Sequence, residues 1–272
     1  MSLKPEYLNW LKNSGQVLQT ADGKSVEIFE LDYSDNAKIF SEWAKHLRNH
    51  YCYDHEIDSL RQGTGLSRCD YLINFKFPDT HNPPGPSVRA GDFGEIIVAD
   101  FVEFFLKYKV PRTRYIDKKN RNRSPEGVDV IGFRQIGSTP SIKDELITFE
   151  VKCSLTGVSS STLQRALNDS CKDFILRKSE SLNAIKQRIM LYKKDAHFKV
   201  LVERFQDKID LPYKENSGAA AIHSLDTYSE DIVTNTNVSS HPNKDNLFLL
   251  LIRGKELMNL VHKLYNKAAD EA

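Results

Sequence analysis

The sequence predicts an α/β or α+β fold in which a mixed central sheet is flanked by helices. Two observations predict it. Apolar, β-branched runs such as LITFEVKCSL (146–155) and NLFLLLIRG (246–254) have the length and composition of buried strands. Between and after them lie long segments whose apolar residues recur every three or four positions, the spacing of helices with one buried face. At 272 residues the chain can bury a substantial core as one domain, or barely two.

Composition narrows the class. Hydrophobic residues make up 40% and charged residues 28%, ordinary values for a soluble globular protein. There is no run of 18 apolar residues, and MSLKPEYLNWLKNSG lacks the apolar centre of a signal peptide, so neither membrane partner nor secretion is expected. Cys52, Cys69, Cys153 and Cys171 are widely spaced with no C-x-x-C, which fits a reduced cytoplasmic protein.

Taken in order, residues 1–85 read as an α/β companion region. KSVEIFELD (24–32) alternates as a strand, and NAKIFSEWAKHLRNHYC (36–52) carries Ile39, Trp43, Leu47 and Tyr51 on one helical stripe. DYLINFKF (70–77) is predicted as another strand. ADGKS (21–25) imitates the end of a phosphate-binding loop, but Leu18 stands where the first glycine belongs, and a strand follows instead of a helix. Nucleotide binding there is therefore rejected. His46 and His50, four apart, would share a helix face and could reach one zinc ion with Cys52 or His55, although a solvated helix end accounts for them as well.

DTHNPPGP (79–86) is the plainest boundary, leaving 86–272 as the core region. AGDFGEIIVADFVEFFLKYK (90–109) is predicted as a buried helix with Asp92, Glu95, Ala99, Glu103 and Lys107 along one edge. Asp92 and Glu95 also have the spacing of a capping box, which would give Glu95 a purely structural use. The following stretch, 107–123, holds eight basic residues against Asp117 alone, within a chain of net charge +1. A solvated loop explains such a run, yet its place beside the core suggests Arg112, Arg114, Lys118, Lys119, Arg121 and Arg123 as phosphate contacts.

EGVDVIGFRQ (126–135) and the 146–155 run are strands separated by the turn-rich GSTPSIKDE. A symmetric hairpin about Thr139–Pro140 sets Asp129 opposite Glu150, and opposed Cβ atoms lie about 4.5–5.5 Å apart. Glu150 and Lys152 alternate onto one face about 6–7 Å apart, while Ile147, Phe149, Val151 and Cys153 line the other. Two carboxylates that close repel unless a cation joins them, and oxygen donors suit Mg²⁺. A plain ion pair on a half-exposed strand is the competing explanation for Glu150 and Lys152.

Beyond this, 159–178 and 182–208 are predicted as helices, 210–245 as irregular chain with a short strand at 219–224, and the end as a buried strand with a closing amphipathic helix.

Gly94-Glu95 on a helix, then Gly127-Val128-Asp129, then Glu150-Val151-Lys152 resembles the PD-(D/E)XK nuclease superfamily, although Gly127-Val128 stands where some members carry proline. The resemblance implies a restriction-endonuclease-like core, with Glu95, Asp129 and Glu150 binding Mg²⁺ (or Mn²⁺) and Lys152 assisting the attacking water. Gln164, on the following helix, would be a further polar contributor. The wording of GDFGEIIV and FEVKCSL is similar, more narrowly, to the nuclease subunit of Hachiman-type antiphage defence (HamA-like), which implies DNA as substrate and a helicase as partner. Three functions follow as expectations: a Mg²⁺-dependent DNA nuclease, a non-catalytic DNA- or partner-binding module keeping the same fold, and a helicase-associated regulatory subunit.

Overall fold

A computed structural model describes residues 3–272. The element order is β1 (Leu11–Gln19), β2 (Ser25–Leu31), α1 (Ala37–Tyr51), α2 (Asp54–Arg61), α3 (Arg68–Tyr71), α4 (Gly85–Phe104), β3 (Val130–Arg134), β4 (Glu145–Ser154), α5 (Thr162–Lys172), α6 (Lys178–Arg188), α7 (Ala196–Gln206), β5 (Lys214–Ser224), α8 (Asp231–Thr234), β6 (Leu247–Gly254) and α9 (Leu257–Asp270). The six strands form one mixed sheet in the order β1-β2-β6-β5-β4-β3. Neighbours from β2 to β4 are parallel, and each edge adds one antiparallel strand.

Period-two alternation divides the core between the sheet's two faces. Phe29, Phe149, Val151, Ala220, Ile222, Leu250 and Ile252 pack with Phe93, Ile97 and Phe101 of α4 and Leu264 of α9. Their neighbours Ile28, Ala219, Ala221, Leu249 and Leu251 face Leu163, Ala166 and Leu167 of α5. A third cluster joins Ile131, Phe133 and Leu146 to Leu182, Ile185, Leu201 and Phe205 of α6 and α7. Each large side chain so buried contributes about 1.5–3 kcal/mol relative to exposure.

Residues 1–85, expected as a companion region, supply β1 and β2 to this sheet and Tyr7, Leu8, Trp43 and Leu47 to the larger core. Among the described residues, no helix is long and apolar enough to cross a membrane.

Three expectations about elements change. Residues 70–76 are helical: Ser67 caps α3 by accepting from the Asp70 N–H, and a π-helical turn continues over Leu72–Lys76. Tyr71, Leu72 and Phe77 are buried while Ile73 and Phe75 face out, so the burial follows a helix and the alternation in the string was misleading. The predicted 159–178 and 182–208 helices are divided elsewhere, by a π-helical turn over Asp173–Arg177 and by Lys194 in the left-handed region (φ 51°). Asp195 then caps α7 by accepting from the Phe198 N–H. The chain expected to be irregular at 210–245 supplies an 11-residue strand, β5, between β4 and β6. Its run Ser217–Ala221 is small because it threads between large neighbours.

Gly218 is the tightest of these positions. A Cβ there would lie 2.5 Å from three atoms of the Phe149 ring, which is fully buried. Overpacking of this kind costs typically 1–3 kcal/mol. Gly218→Ala is therefore expected to lower the free energy of unfolding by about 2 kcal/mol in urea denaturation, and Phe149→Leu in that background to recover part of the loss.

Candidate active site

The hairpin register is the one the sequence implied. Val130 pairs with Phe149 and Ile131 with Thr148, so one step further Asp129 stands opposite Glu150. Gly127 adopts a left-handed φ of 93°, which a side chain would resist, and lets the chain turn into β3 at this point. Asp129 is fixed at both oxygens: Oδ2 accepts from the Val151 N–H at 2.9 Å and Oδ1 from Arg114 Nη2 at 2.6 Å. On β4, Glu150 is 2% exposed, with Lys152 Nζ 3.4 Å from its Oε2.

Glu95 lies in the middle of α4, which begins at Gly85 and not near Asp92, so a capping box at Asp92–Glu95 is excluded. Proline at the start of that helix supplies its initiation instead. Asp92 accepts from Tyr51 Oη at 2.7 Å and from Lys118. Glu95 Oε2 accepts from Arg114 Nε and from Tyr115 Oη, each at 2.5 Å. Glu95, Arg114, Asp129, Glu150, Lys152 and Arg177 line one open cleft at the β3 edge of the sheet.

The helical layer adds residues that the sequence reading missed. Lys152 Nζ is 2.8 Å from Asp169 Oδ2, and Arg177 Nη2 is 2.7 Å from Asp173 Oδ1 and 3.4 Å from Glu150 Oε1. Asp169, Asp173 and Arg177 recur every four residues, so one helical face carrying all three was legible in the string NDSCKDFILR. Gln164, the residue expected to help, bonds instead to Asn168 and accepts from the Asn237 N–H, and it tethers a loop away from the acids. Asp169, on the same helix, is the polar residue that reaches Lys152.

Four of the six expected phosphate contacts are committed inside the protein. Arg112 pairs with Asp100 and Glu103, Arg114 with Glu95 and Asp129, Lys118 with Asp92, and Arg121 with Asp79. Lys119 and Arg123 face solvent. At His46 and His50 the solvated helix end gives way, because His50 is buried, and so does the zinc alternative. His46 Nε2 lies 3.1 Å from Asp100 Oδ1 and 3.3 Å from His50 Nε2, while Cys52 Sγ turns to the Tyr53 carbonyl and His55 stacks on Tyr53. The histidines thus join an Asp100–Arg112 network in place of a His/Cys metal cluster.

Electrostatics in the cleft favour a cation. Burial, and then Asp129 and Asp173, push the Glu150 carboxyl far above the usual range. Burial raises Asp173 too, against hydrogen bonding with Glu150 and then the pull of Arg177. Burial, and then Asp129, push Glu95 up to about 8 against the pull of Arg114, whose guanidinium keeps its proton. Burial would lower Lys152, but hydrogen bonding to Asp169 and the Asp129 and Glu150 charges hold it above its ordinary value, hence cationic at neutral pH.

The donors suit a hard divalent ion. They are carboxylate oxygens whose mutual repulsion a +2 charge would relieve, and Glu150 Oε1 is buried without a hydrogen bond. As they stand, however, no three His, Cys, Asp or Glu side chains among the described residues surround a single metal position.

A family model described as HamA matches residues 5–268 of the chain. No curated protein matches it.

The strained Glu150 gives a stability test. Below the ordinary glutamate pKa both folded and unfolded states hold its proton; above it, only the unfolded state sheds the proton freely, so stability is lost as pH rises toward the elevated folded value. Glu150→Gln, measured by denaturation in EDTA, is expected to match wild type near pH 4 and to exceed it by about 1–2 kcal/mol at pH 8.

Proposed function

The chain belongs to the HamA family, and on that premise we propose that it is a Mg²⁺-dependent DNA nuclease that works with a helicase partner. Family membership makes it a protein of Hachiman-type antiphage defence. The hydrolytic reading rests chiefly on one observation. Asp129, Glu150 and Lys152 meet in one cleft, in a register held by the Asp129–Val151 hydrogen bond, with Glu95 on the adjoining helix.

Asp129 and Glu150 would hold the ion, with Glu95 as the third ligand. A bound divalent ion supplies Lewis-acid stabilisation of a phosphodiester and lowers the pKa of a coordinated water. The protein's own groups do the rest. Lys152, kept as an ammonium by Asp169 and Glu150, is suited to donate a hydrogen bond to the attacking water or to a non-bridging phosphate oxygen; it is poorly suited to accept a proton. Asp169 orients Lys152 from the opposite side and shares its own charge with Lys172, 2.6 Å away. The solvent-facing Lys119, and Arg123 on release from its exposed pair with Glu126, would reach flanking phosphates.

A protein partner suits the helical layer. Ile175, Leu176, Met190 and Leu191 are between 54% and 71% exposed there, apolar surface that a partner's cover would remove from water.

Cleavage of linear and supercoiled DNA with Mg²⁺, by wild type and by Lys152→Ala with and without the helicase, tests the proposal. The wild type is expected to cut and the variant to lose about a hundredfold or more of the rate. Equal cutting by both would remove Lys152 from the mechanism, and no cutting in any combination would favour a non-catalytic binding module.

A further inference from the structure

We propose that Arg114 is a built-in counter-cation of the acidic site: its guanidinium bridges Glu95 and Asp129 where a divalent ion would have to bind, so that metal entry requires Arg114 to withdraw. The inference rests on the reading of this cleft as a metal-dependent active site and adds to it a residue that controls metal access.

The geometry is specific. Nε meets Glu95 Oε2 at 2.5 Å and Nη2 meets Asp129 Oδ1 at 2.6 Å, so a single planar fork joins the helix acid to the strand acid. The remaining donors are held by main-chain carbonyls, Val128 O at 2.6 Å and Pro125 O at 3.1 Å. The side chain is only 14% exposed. Such an arrangement exceeds a loose surface pair: two carboxylates and three carbonyls, Gly127 O at 3.5 Å being the third, converge on one guanidinium.

The other cations of the cleft are placed differently. Lys152 lies against Asp169 and Glu150, and Arg177 against Asp173 and Glu150. Among the described residues, only Arg114 spans Glu95 of α4 and Asp129 at the entry to β3. This also explains why acids that share one cleft do not surround a common metal position: Glu95 and Asp129 are turned to satisfy a broad planar ion. A guanidinium and a divalent cation cannot use the same carboxylate oxygens together without strong repulsion. The withdrawn fork, still lining the cleft, would be a bidentate donor for a phosphate.

The test is Mn²⁺ binding to the full-length chain, followed by electron paramagnetic resonance titration, for wild type, Arg114→Gln and Arg114→Lys, with folding checked by circular dichroism. Arg114→Gln is expected to bind Mn²⁺ at least tenfold more tightly than wild type. Added guanidinium ion should weaken binding to that variant and leave the wild type unchanged. Arg114→Lys, which keeps a charge but cannot bridge both acids and the carbonyls, is expected to gain severalfold and decides the matter if the glutamine variant does not fold. Wild-type affinity in a folded variant would overturn the proposal while leaving the metal site intact. Absence of Mn²⁺ binding in every protein would instead overturn the metal-dependent reading on which it rests.

Discussion

The carboxylate of Asp129 holds the candidate site together. One oxygen takes the Val151 N–H of the neighbouring strand, and the other takes Arg114, which is itself bound to Glu95. Through these contacts the start of β3, the middle of β4 and the core helix α4 are fixed relative to one another at an edge of the sheet. A slip of one residue in the hairpin would turn Glu150 to the face where Phe149 and Val151 pack against α4 and would dissolve the cleft. The apolar packing behind β4 therefore sets the chemistry in front of it.

The site also carries a cost in stability. Glu95, Glu150 and Asp173 are crowded into a region where burial disfavours charge. A protein tuned for stability alone would fill it with apolar side chains or pair each acid once. Here Arg114, Lys152 and Arg177 offset the crowding, yet Glu150 keeps a buried oxygen with no hydrogen bond. Residual strain of this kind is expected where an ion or substrate completes the balance.

Much of this arrangement was legible in the sequence, for identifiable reasons. The period-two patterns around Asp129 and Glu150 and the turn between them gave the hairpin, and its symmetry gave the register. Buried strands and helices followed from apolar spacing, except where local capping overrode it, as Ser67 does for 70–76. Gln164 was expected and Asp169 missed because polarity alone does not say which helical face meets the sheet; the four-residue recurrence of Asp169, Asp173 and Arg177 does. The basic run misled because sequence counts charges without their partners. Arg112, Arg114 and Lys118 pair with Asp100, Glu95 and Asp92, acids many residues away on α4. The Ala-rich strand β5 carries little propensity of its own and exists because β4 and β6 enclose it.

The most direct test of the central claim is the anomalous diffraction of a crystal grown from the full-length protein and soaked in Mn²⁺. The account predicts one peak touching the carboxylates of Asp129 and Glu150, with the Arg114 guanidinium displaced from its bridging position. A peak at the His46–His50–Asp100 cluster, or a fully ordered cleft with Arg114 in place and no peak at saturating metal, would contradict it.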